Sequence, residues 1–216
     1  MLHAGHELAG ELVSAAPSAV ARADADADIV ALAAAGDTAG ALRRLMQRHG
    51  AAVYRYCREA LRDAALADDV HQQVFLGAFH DLPRFRRRST VRTWLFAIAH
   101  HRVLDTIKRL GRAQAHITDA ELTEIPDPGP SPADSIDDAR LRKALIASLD
   151  TLHESLRIPV LLRYHQGFSF DEIAVICGEK PATLRARVLR ALPVLRASIE
   201  SHLRPRRHGF TAAPGA

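Results

Sequence analysis

The sequence predicts an all-α protein: two small helical domains joined by an acidic, proline-rich linker. Three observations support this fold class. Ala, Leu and Arg, which favour helix, are abundant, whereas aromatic residues make up only 5% of the 216 residues. Apolar side chains recur at helical spacing in both halves of the chain. Between the halves, the stretch TEIPDPGPSPADS has a proline at every second position from 126 to 132, so it cannot form a helix and is typical of an extended linker.

The first half begins with an Ala-rich stretch without helical pattern, residues 1–26, which we expect to be a disordered extension. Helical signals start in DADIVALAAAGD, where we expect Asp28 to cap a helix and Gly36 to end it. Asp37 is the expected cap of the next, longer helix. The expected helices of this first module (residues 27–112) run from about 28 to 36, 37 to 62, 67 to 80 and 91 to 112.

The second half follows a linker at residues 113–135. We call it the second module, residues 136–203, and expect helices at about 136–149, 156–166, 170–176 and 181–203. The closing residues, 204–216, are expected to be a disordered tail.

Charge is strongly segregated along the chain although the net charge is only +4. Residues 84–112 contain nine Lys or Arg and a single acid, Asp105, whereas residues 113–139 contain seven acids and no Lys or Arg. This pattern predicts a basic face for a polyanion and a separate acidic linker.

Several function classes are excluded by what the sequence lacks. It has no H-E-x-x-H, C-x-x-C, phosphate-binding Gly loop or G-x-S-x-G motif, so we expect no enzyme activity, no cofactor and no metal site.

Cys57 and Cys177 lie far apart, and we expect both to be buried thiols rather than redox sensors. No secretory signal and no run of about 18 apolar residues is present, which predicts a cytoplasmic protein without membrane insertion.

The stretch GFSFDEIAVICGEKPATLRARVLRAL has the layout of a helix-turn-helix. Ser169 and Glu172 form a capping box, Gly178 suits the turn, and Pro181 suits the start of the second helix. In that helix the inward stripe is Leu184, Val188, Ala191 and Leu195, and the outward face carries Thr183, Ala186, Arg187 and Arg190. Such a face can enter the DNA major groove. An amphipathic hairpin with solvated arginines is the alternative.

Two blocks of this sequence together resemble a known family. ALADDVHQQVFLGAFHDLPRFRRRSTVRTWLFAIAHHRVLDTIKR, followed after the linker by the helix-turn-helix block, is similar to bacterial sigma-70 RNA polymerase sigma factors. The closest resemblance is to the extracytoplasmic-function (ECF) group, which keeps only regions 2 and 4. It implies a transcription initiation factor that binds core polymerase, recognises the −35 and −10 promoter elements and melts the −10 element.

The resemblance implies three sets of contact residues. The clamp coiled coil of core polymerase would meet Asp68, Asp69, Gln72 and Gln73. The −10 DNA would meet Arg84, Arg86, Arg87, Arg88, Arg92, His100, His101 and Arg102, with the two histidines and Arg102 on the solvent side of their helix. The −35 DNA would meet Lys180, Thr183, Ala186, Arg187 and Arg190.

The sequence departs from the family pattern at several positions. Gln73 replaces an acid, His71 replaces an aliphatic residue, which suggests a small shift in packing, and His101 replaces an Asn, which suggests an unusual −10 preference. Trp94, the only tryptophan, is expected to pack in the core rather than to wedge against the melting base pair. Pro193 and Val194 stand where basic residues are common, which would weaken the −35 contact.

Partners also follow from the resemblance: the polymerase clamp and flap, promoter DNA, and an anti-sigma factor covering both modules. The linker acids Asp119, Glu121, Glu124, Asp127 and Asp134 could mimic nucleic acid in the polymerase channel. One alternative is a sigma mimic that sequesters an anti-sigma factor without binding promoters. Another is a helix-turn-helix repressor, which leaves the first module unexplained.

Overall fold

The computed structural model describes residues 25–114 and 144–203, and in these ranges all regular structure is helical. The helices are α1 Ala27–Ala34, α2 Thr38–Leu61, α3 Ala64–Asp81, α4 Val91–Gln114, α5 Glu154–Val160, α6 Phe170–Cys177 and α7 Pro181–Leu203. A 3-10 turn follows α3 at Leu82–Arg84, a π-helical turn follows α5 at Leu161–His165, and residues 144–150 are helical. The all-α prediction is confirmed. The linker acids and the tail lie outside the described residues.

The start of α1 differs from our expectation. The helix begins at Ala27, with Asp26 at the N-cap position, so the prediction of Asp28 as the cap was wrong. Asp28 instead receives two hydrogen bonds from the guanidinium of Arg48, at 2.8 and 3.0 Å. Asp26, which we assigned to the extension, is buried and bonded to His49 and Arg48 of α2. These long-range partners therefore attach α1 to α2.

Aspartate side chains cap the starts of α2 and α3. Asp37 caps α2 as predicted, accepting a hydrogen bond from the Gly40 amide at 2.8 Å. Asp63 does the same for α3, accepting from the Leu66 amide at 2.9 Å, and α3 therefore starts three residues earlier than predicted. Because the first amides of a helix lack intrahelical partners, each such cap stabilises its helix by about 1 kcal/mol.

The segment predicted as one helix near residues 156–166 is divided in the structure. Helix α5 contains Pro159, which supplies no amide hydrogen to the helical ladder, and the chain changes to π-helical turns at Leu161. The turns bring Leu161, Leu162 and then Phe168 into the core.

One hydrophobic core crosses the boundary between the two modules. In the first module it is built from side chains of α1 to α4, among them Leu45, Tyr56 and Phe96. Residues of the second module, including Phe168 and Ile173, belong to the same cluster. A smaller cluster lies within the second module: Leu152, Val160, Val188, Ala191 and Leu195. The second module therefore packs directly against the first.

Candidate polymerase and nucleic-acid interfaces

Helix α3 presents the polar face that was assigned to polymerase binding. Asp68, Asp69, Gln72 and Gln73 are all exposed. Val70, Val74 and Phe75 on the opposite side are buried, because residues three or four positions apart lie on the same face of a helix. Two large apolar side chains that the sequence analysis did not single out, Leu76 and Phe79, extend the face and are 55% and 38% exposed.

His71 lies beside this face. It is half-buried, and its Nε2 lies 3.1 Å from the Gly50 carbonyl oxygen of α2. Its ring makes edge contacts with Tyr54 and Phe75. His71 therefore provides a polar contact between α2 and α3.

The arginine-rich loop joins the 3-10 turn to α4. Arg84, Arg86, Arg87 and Arg88 are all exposed, and Arg87 has a left-handed backbone with φ of 55°. The loop ends at Thr90, whose hydroxyl accepts a hydrogen bond from the Thr93 amide at 3.1 Å and so caps α4. Four exposed cations thus lie within five residues of one another and can bind phosphates.

Trp94 packs against the core beneath this loop. It is half-buried, and its ring centroid lies 5.2 Å from that of Phe85. Val91 and Leu95 on the same face are buried. Phe96, Ala99 and Val103 are also buried, so α4 is covered on more than one side.

Arg92 has a different environment from the loop arginines. Its guanidinium lies 4.0 Å from the ring centroid of Phe168 and 5.3 Å from that of Phe96. It also donates a hydrogen bond to the backbone oxygen of Gln166. In this arrangement Arg92 contacts the second module.

Among the residues assigned to the −10 element, His100 is buried, so the expectation that it lies on the solvent side was wrong. It is 4% exposed, and Nδ1 lies 3.2 Å from the Tyr56 hydroxyl. Burial, with a smaller contribution from His101, lowers the pKa of His100 to about 4. His101 and Arg102 are exposed as expected, and Nδ1 of His101 lies 2.7 Å from the Ala97 carbonyl oxygen.

A basic cleft between α3 and α4 was missed by the sequence analysis. It encloses about 280 Å³ and is lined by Gln73, Arg102, Asp105, Thr106, Lys108, Arg109 and Arg112. The spacing of Arg102, Arg109 and Arg112, at i, i+7 and i+10, places them on one helical stripe and could have revealed it. The cleft connects the α3 polar face at Gln73 with the cationic side of α4.

The helix-turn-helix forms as predicted. Ser169 and Glu172 make both hydrogen bonds of the capping box, at 3.2 and 2.8 Å. Gly178 has φ of 67°, the left-handed conformation that ends α6 and that side chains disfavour. Pro181 begins α7, and the four residues of the predicted inward stripe are buried. Pro193 lies inside α7, which continues to Leu203.

The outward face of α7 carries the residues assigned to the −35 element. Lys180, Thr183, Ala186 and Arg190 are exposed. Arg187 is half-buried, and its Nη1 donates to the Glu179 carboxylate at 2.7 Å. The sequence analysis missed Glu179, which lies in the turn and neutralises one cation of the recognition face.

Neither cysteine has an environment that activates a thiol. Cys57 is fully buried and Cys177 is half-buried, and burial raises the pKa of each thiol to about 12. A raised pKa favours the protonated thiol over the reactive thiolate near neutral pH. In the described ranges no group of His, Cys, Asp or Glu side chains is arranged to hold a metal ion. The described helices include none with the length and apolar character of a membrane span.

Comparison with known proteins identifies both modules. Residues 45–113 match the family model for sigma-70 region 2, and residues 142–192 match a model for sigma-70 region 4. The ECF RNA polymerase sigma factor SigC of Mycobacterium tuberculosis is 34% identical over 183 residues, which cover 85% of this chain and 96% of SigC.

Solved structures show the same fold. The sigma factor RpoE in complex with the anti-sigma factor NepR from Bartonella quintana has a TM-score of 0.63, with 23% identity over 73% of this chain and 96% of RpoE. CnrH in complex with the cytosolic domain of CnrY has a TM-score of 0.59, with 25% identity over 82% of this chain and 99% of CnrH. Sigma factors are transcription initiation factors and not enzymes. This chain belongs to the ECF group of the sigma-70 family of RNA polymerase sigma factors.

Proposed function

We propose that this chain binds core RNA polymerase and directs it to promoters by recognising the −35 and −10 elements and melting the −10 element. The observation that carries this proposal is the set of three separate exposed surfaces: the α3 polar face, the arginine-rich loop with α4, and the outward face of α7. Each surface matches the chemistry of one of the three partners.

The α3 polar face is the proposed polymerase contact. Asp68 and Asp69 supply carboxylates that can pair with arginines, and Gln72 and Gln73 supply amide donors and acceptors. Exposed Leu76 and Phe79 beside them add apolar area, which interfaces combine with a polar surround. The polymerase clamp is the partner we propose for this face, and the flap is the one we propose for the second module.

The −10 element is the proposed ligand of the loop and of α4. Arg84, Arg86, Arg87 and Arg88 supply phosphate contacts that fix affinity and register without reading sequence. His101 and Arg102 are proposed to face bases or phosphates from α4, and His100 supports them from inside the core. Melting needs no side-chain chemistry, because separated strands are captured by binding energy.

The −35 element is the proposed ligand of α7. We propose that Thr183, Ala186, Arg187 and Arg190 enter the major groove, where arginine can pair with guanine, and that Lys180 contacts a phosphate. Because RpoE was solved in complex with the anti-sigma factor NepR, we also propose that an anti-sigma protein regulates this chain. We propose that this chain acts in the cytoplasm, where it associates with the nucleoid by binding polymerase.

Size-exclusion chromatography with bacterial core polymerase tests this proposal. We expect the chain to co-elute with core enzyme, and the complex to retain a forked DNA oligonucleotide. Replacing Arg86, Arg87 and Arg88 by Ala should abolish DNA retention but preserve co-elution. A folded chain that neither co-elutes nor binds DNA, yet binds an anti-sigma protein, would support the mimic and refute the proposal.

A further inference from the structure

The turn of the helix-turn-helix holds Glu179 in a fixed place. Its backbone amide donates to the Ala174 carbonyl oxygen at 3.2 Å, so the residue is tied to the end of α6. The next residue, Lys180, accepts hydrogen bonds from the amides of Thr183 and Leu184 and so belongs to the start of α7. Hydrogen bonds therefore fix the backbone on both sides of the Glu179 side chain.

Arg187 lies about two turns into α7, and its side chain reaches back to this acid. Nη1 of Arg187 donates to Oε1 of Glu179 at 2.7 Å, a length typical of a charge-assisted hydrogen bond. The two side chains are only 26% and 34% exposed. Because a free arginine side chain samples many rotamers, this bond restricts the directions in which the guanidinium can point.

The ion pair leaves most of the Arg187 guanidinium available. An arginine has five N–H donors in one rigid plane, and Glu179 accepts from Nη1. In the part of the chain that the structure describes, Nε and Nη2 of Arg187 form no hydrogen bond. These two nitrogens form one edge of the plane, and such an edge can donate to O6 and N7 of guanine together. A guanidinium held by Glu179 can therefore read this base.

Arg190, about one turn later on the outward face, has a different environment. Its Nε donates to the Ala186 carbonyl oxygen of its own helix at 3.3 Å, and within residues 25–114 and 144–203 no carboxylate forms an ion pair with it. An exposed arginine without a fixed direction suits phosphate contacts, which carry no sequence information. The two arginines of the outward face therefore suit different tasks.

We propose that Glu179 is a positioning residue for DNA readout: it orients Arg187 toward one guanine in the major groove and so sets the sequence preference of α7 at that base pair. The inference rests on the proposed function, since Arg187 is there a −35 contact. The carboxylate lowers affinity because it repels phosphates. It raises discrimination because a guanidinium that it holds pairs with guanine and does not turn to a phosphate instead.

Selection from random DNA tests this inference. The full chain is mixed with duplexes that carry a randomised central stretch, and sequencing of the bound and unbound fractions gives the base preference at each position. Wild type should prefer guanine about tenfold or more at a position where Arg187→Ala shows no preference. Glu179→Gln should bind duplex DNA more tightly overall but reduce the guanine preference at that position to about threefold or less.

Glu200→Gln provides the comparison, since it removes an exposed acid from α7 far from the turn. It should leave every base preference at the wild-type value. Glu179→Gln combined with Arg187→Ala should have the same preferences as Arg187→Ala alone, because the acid acts through the arginine.

A Glu179→Gln variant with the wild-type guanine preference would overturn the inference and leave the ion pair with a structural role only. Loss of preference at a position that Arg187→Ala preserves would also overturn it, since Glu179 would then contact a base directly. A wild type that selects no sequence would overturn it as well. A wild type that selects a sequence but fails to co-elute with core polymerase would instead refute the proposed function, and the comparison of variants would still decide the role of Glu179.

Discussion

Nδ1 of His100 lies 3.2 Å from the hydroxyl oxygen of Tyr56 inside the core of the first module. Burial lowers the pKa of His100 to about 4, against an ordinary value of 6.5. Between these values the unfolded chain binds a proton that the folded chain does not. The folded state therefore loses stability as the pH falls from about 6.5 to about 4, and by up to about 3 kcal/mol from this residue.

The pH dependence of urea unfolding checks this prediction. His100→Gln keeps a polar partner for Tyr56 but removes the titrating group, so its stability should fall less steeply than that of wild type below pH 6.5. His80→Gln, which replaces an exposed histidine at the end of α3, is the control and should change the slope much less than His100→Gln. If both variants follow the wild-type profile, His100 is not buried as described.

The ion pair between Arg187 and Glu179 predicts how two substitutions change the affinity of the second module for −35 DNA. Removing the acid with Glu179→Gln releases Arg187 and removes a negative charge near the phosphates, so affinity for −35 DNA should rise about two- to fivefold. Arg187→Ala should reduce the affinity about tenfold or more. Filter binding with a duplex carrying the mapped −35 element measures both changes.

Arg185→Ala is the matched control for this pair. Arg185 is another arginine of α7, but its guanidinium lies 5.3 Å from the Phe170 ring centroid, away from the recognition face. Its replacement should change affinity much less than that of Arg187. Equal losses for the two variants would mean that α7 contributes only general positive charge.

The capping box predicts the local stability of the helix-turn-helix. Ser169→Ala removes the side-chain acceptor of the Glu172 amide and should lower the free energy of unfolding by about 1 kcal/mol. Ser201→Ala, at an exposed position in α7, should have a much smaller effect. Chemical denaturation followed by circular dichroism measures both, and equal effects would contradict the capping role.

Much of the architecture follows from local sequence signals. The caps at Asp37 and Ser169, the turn glycine Gly178 and the inward stripe of α7 were predicted because each depends on residues only a few positions apart. The start of α3 was misplaced because the capping role of Asp63 was not recognised.

Most of the features that were not predicted depend on pairs of residues that are distant in sequence. His100 was expected at the surface, since nothing near it in sequence reveals that Tyr56, 44 positions away, meets it in the core. The hydrogen bond from Arg157 to the Ala60 carbonyl oxygen spans 97 positions and has no sequence pattern of its own. The partner of Arg187 was missed because the turn at Gly178 brings Glu179 back toward α7.

The α3 polar face predicts the effect of a single charge change on polymerase binding. Asp69→Arg should lower the affinity for core polymerase about tenfold or more, as measured by co-elution at several concentrations. The reason is that it places a cation where an acid is proposed to meet arginines. Asp81→Arg makes the same change at the exposed end of α3 and should leave the affinity nearly unchanged. Equal effects would show that net charge, not the α3 face, controls binding.

The most direct test of the central claim is transcription by the reconstituted holoenzyme. Purified chain and bacterial core polymerase are incubated with fragmented genomic DNA, and the 5′ ends of the transcripts are sequenced. We predict discrete start sites that share a −35 and a −10 sequence and are absent with core enzyme alone. Start sites indistinguishable from those of core enzyme alone, from a chain that binds core polymerase, would contradict promoter recognition by this protein.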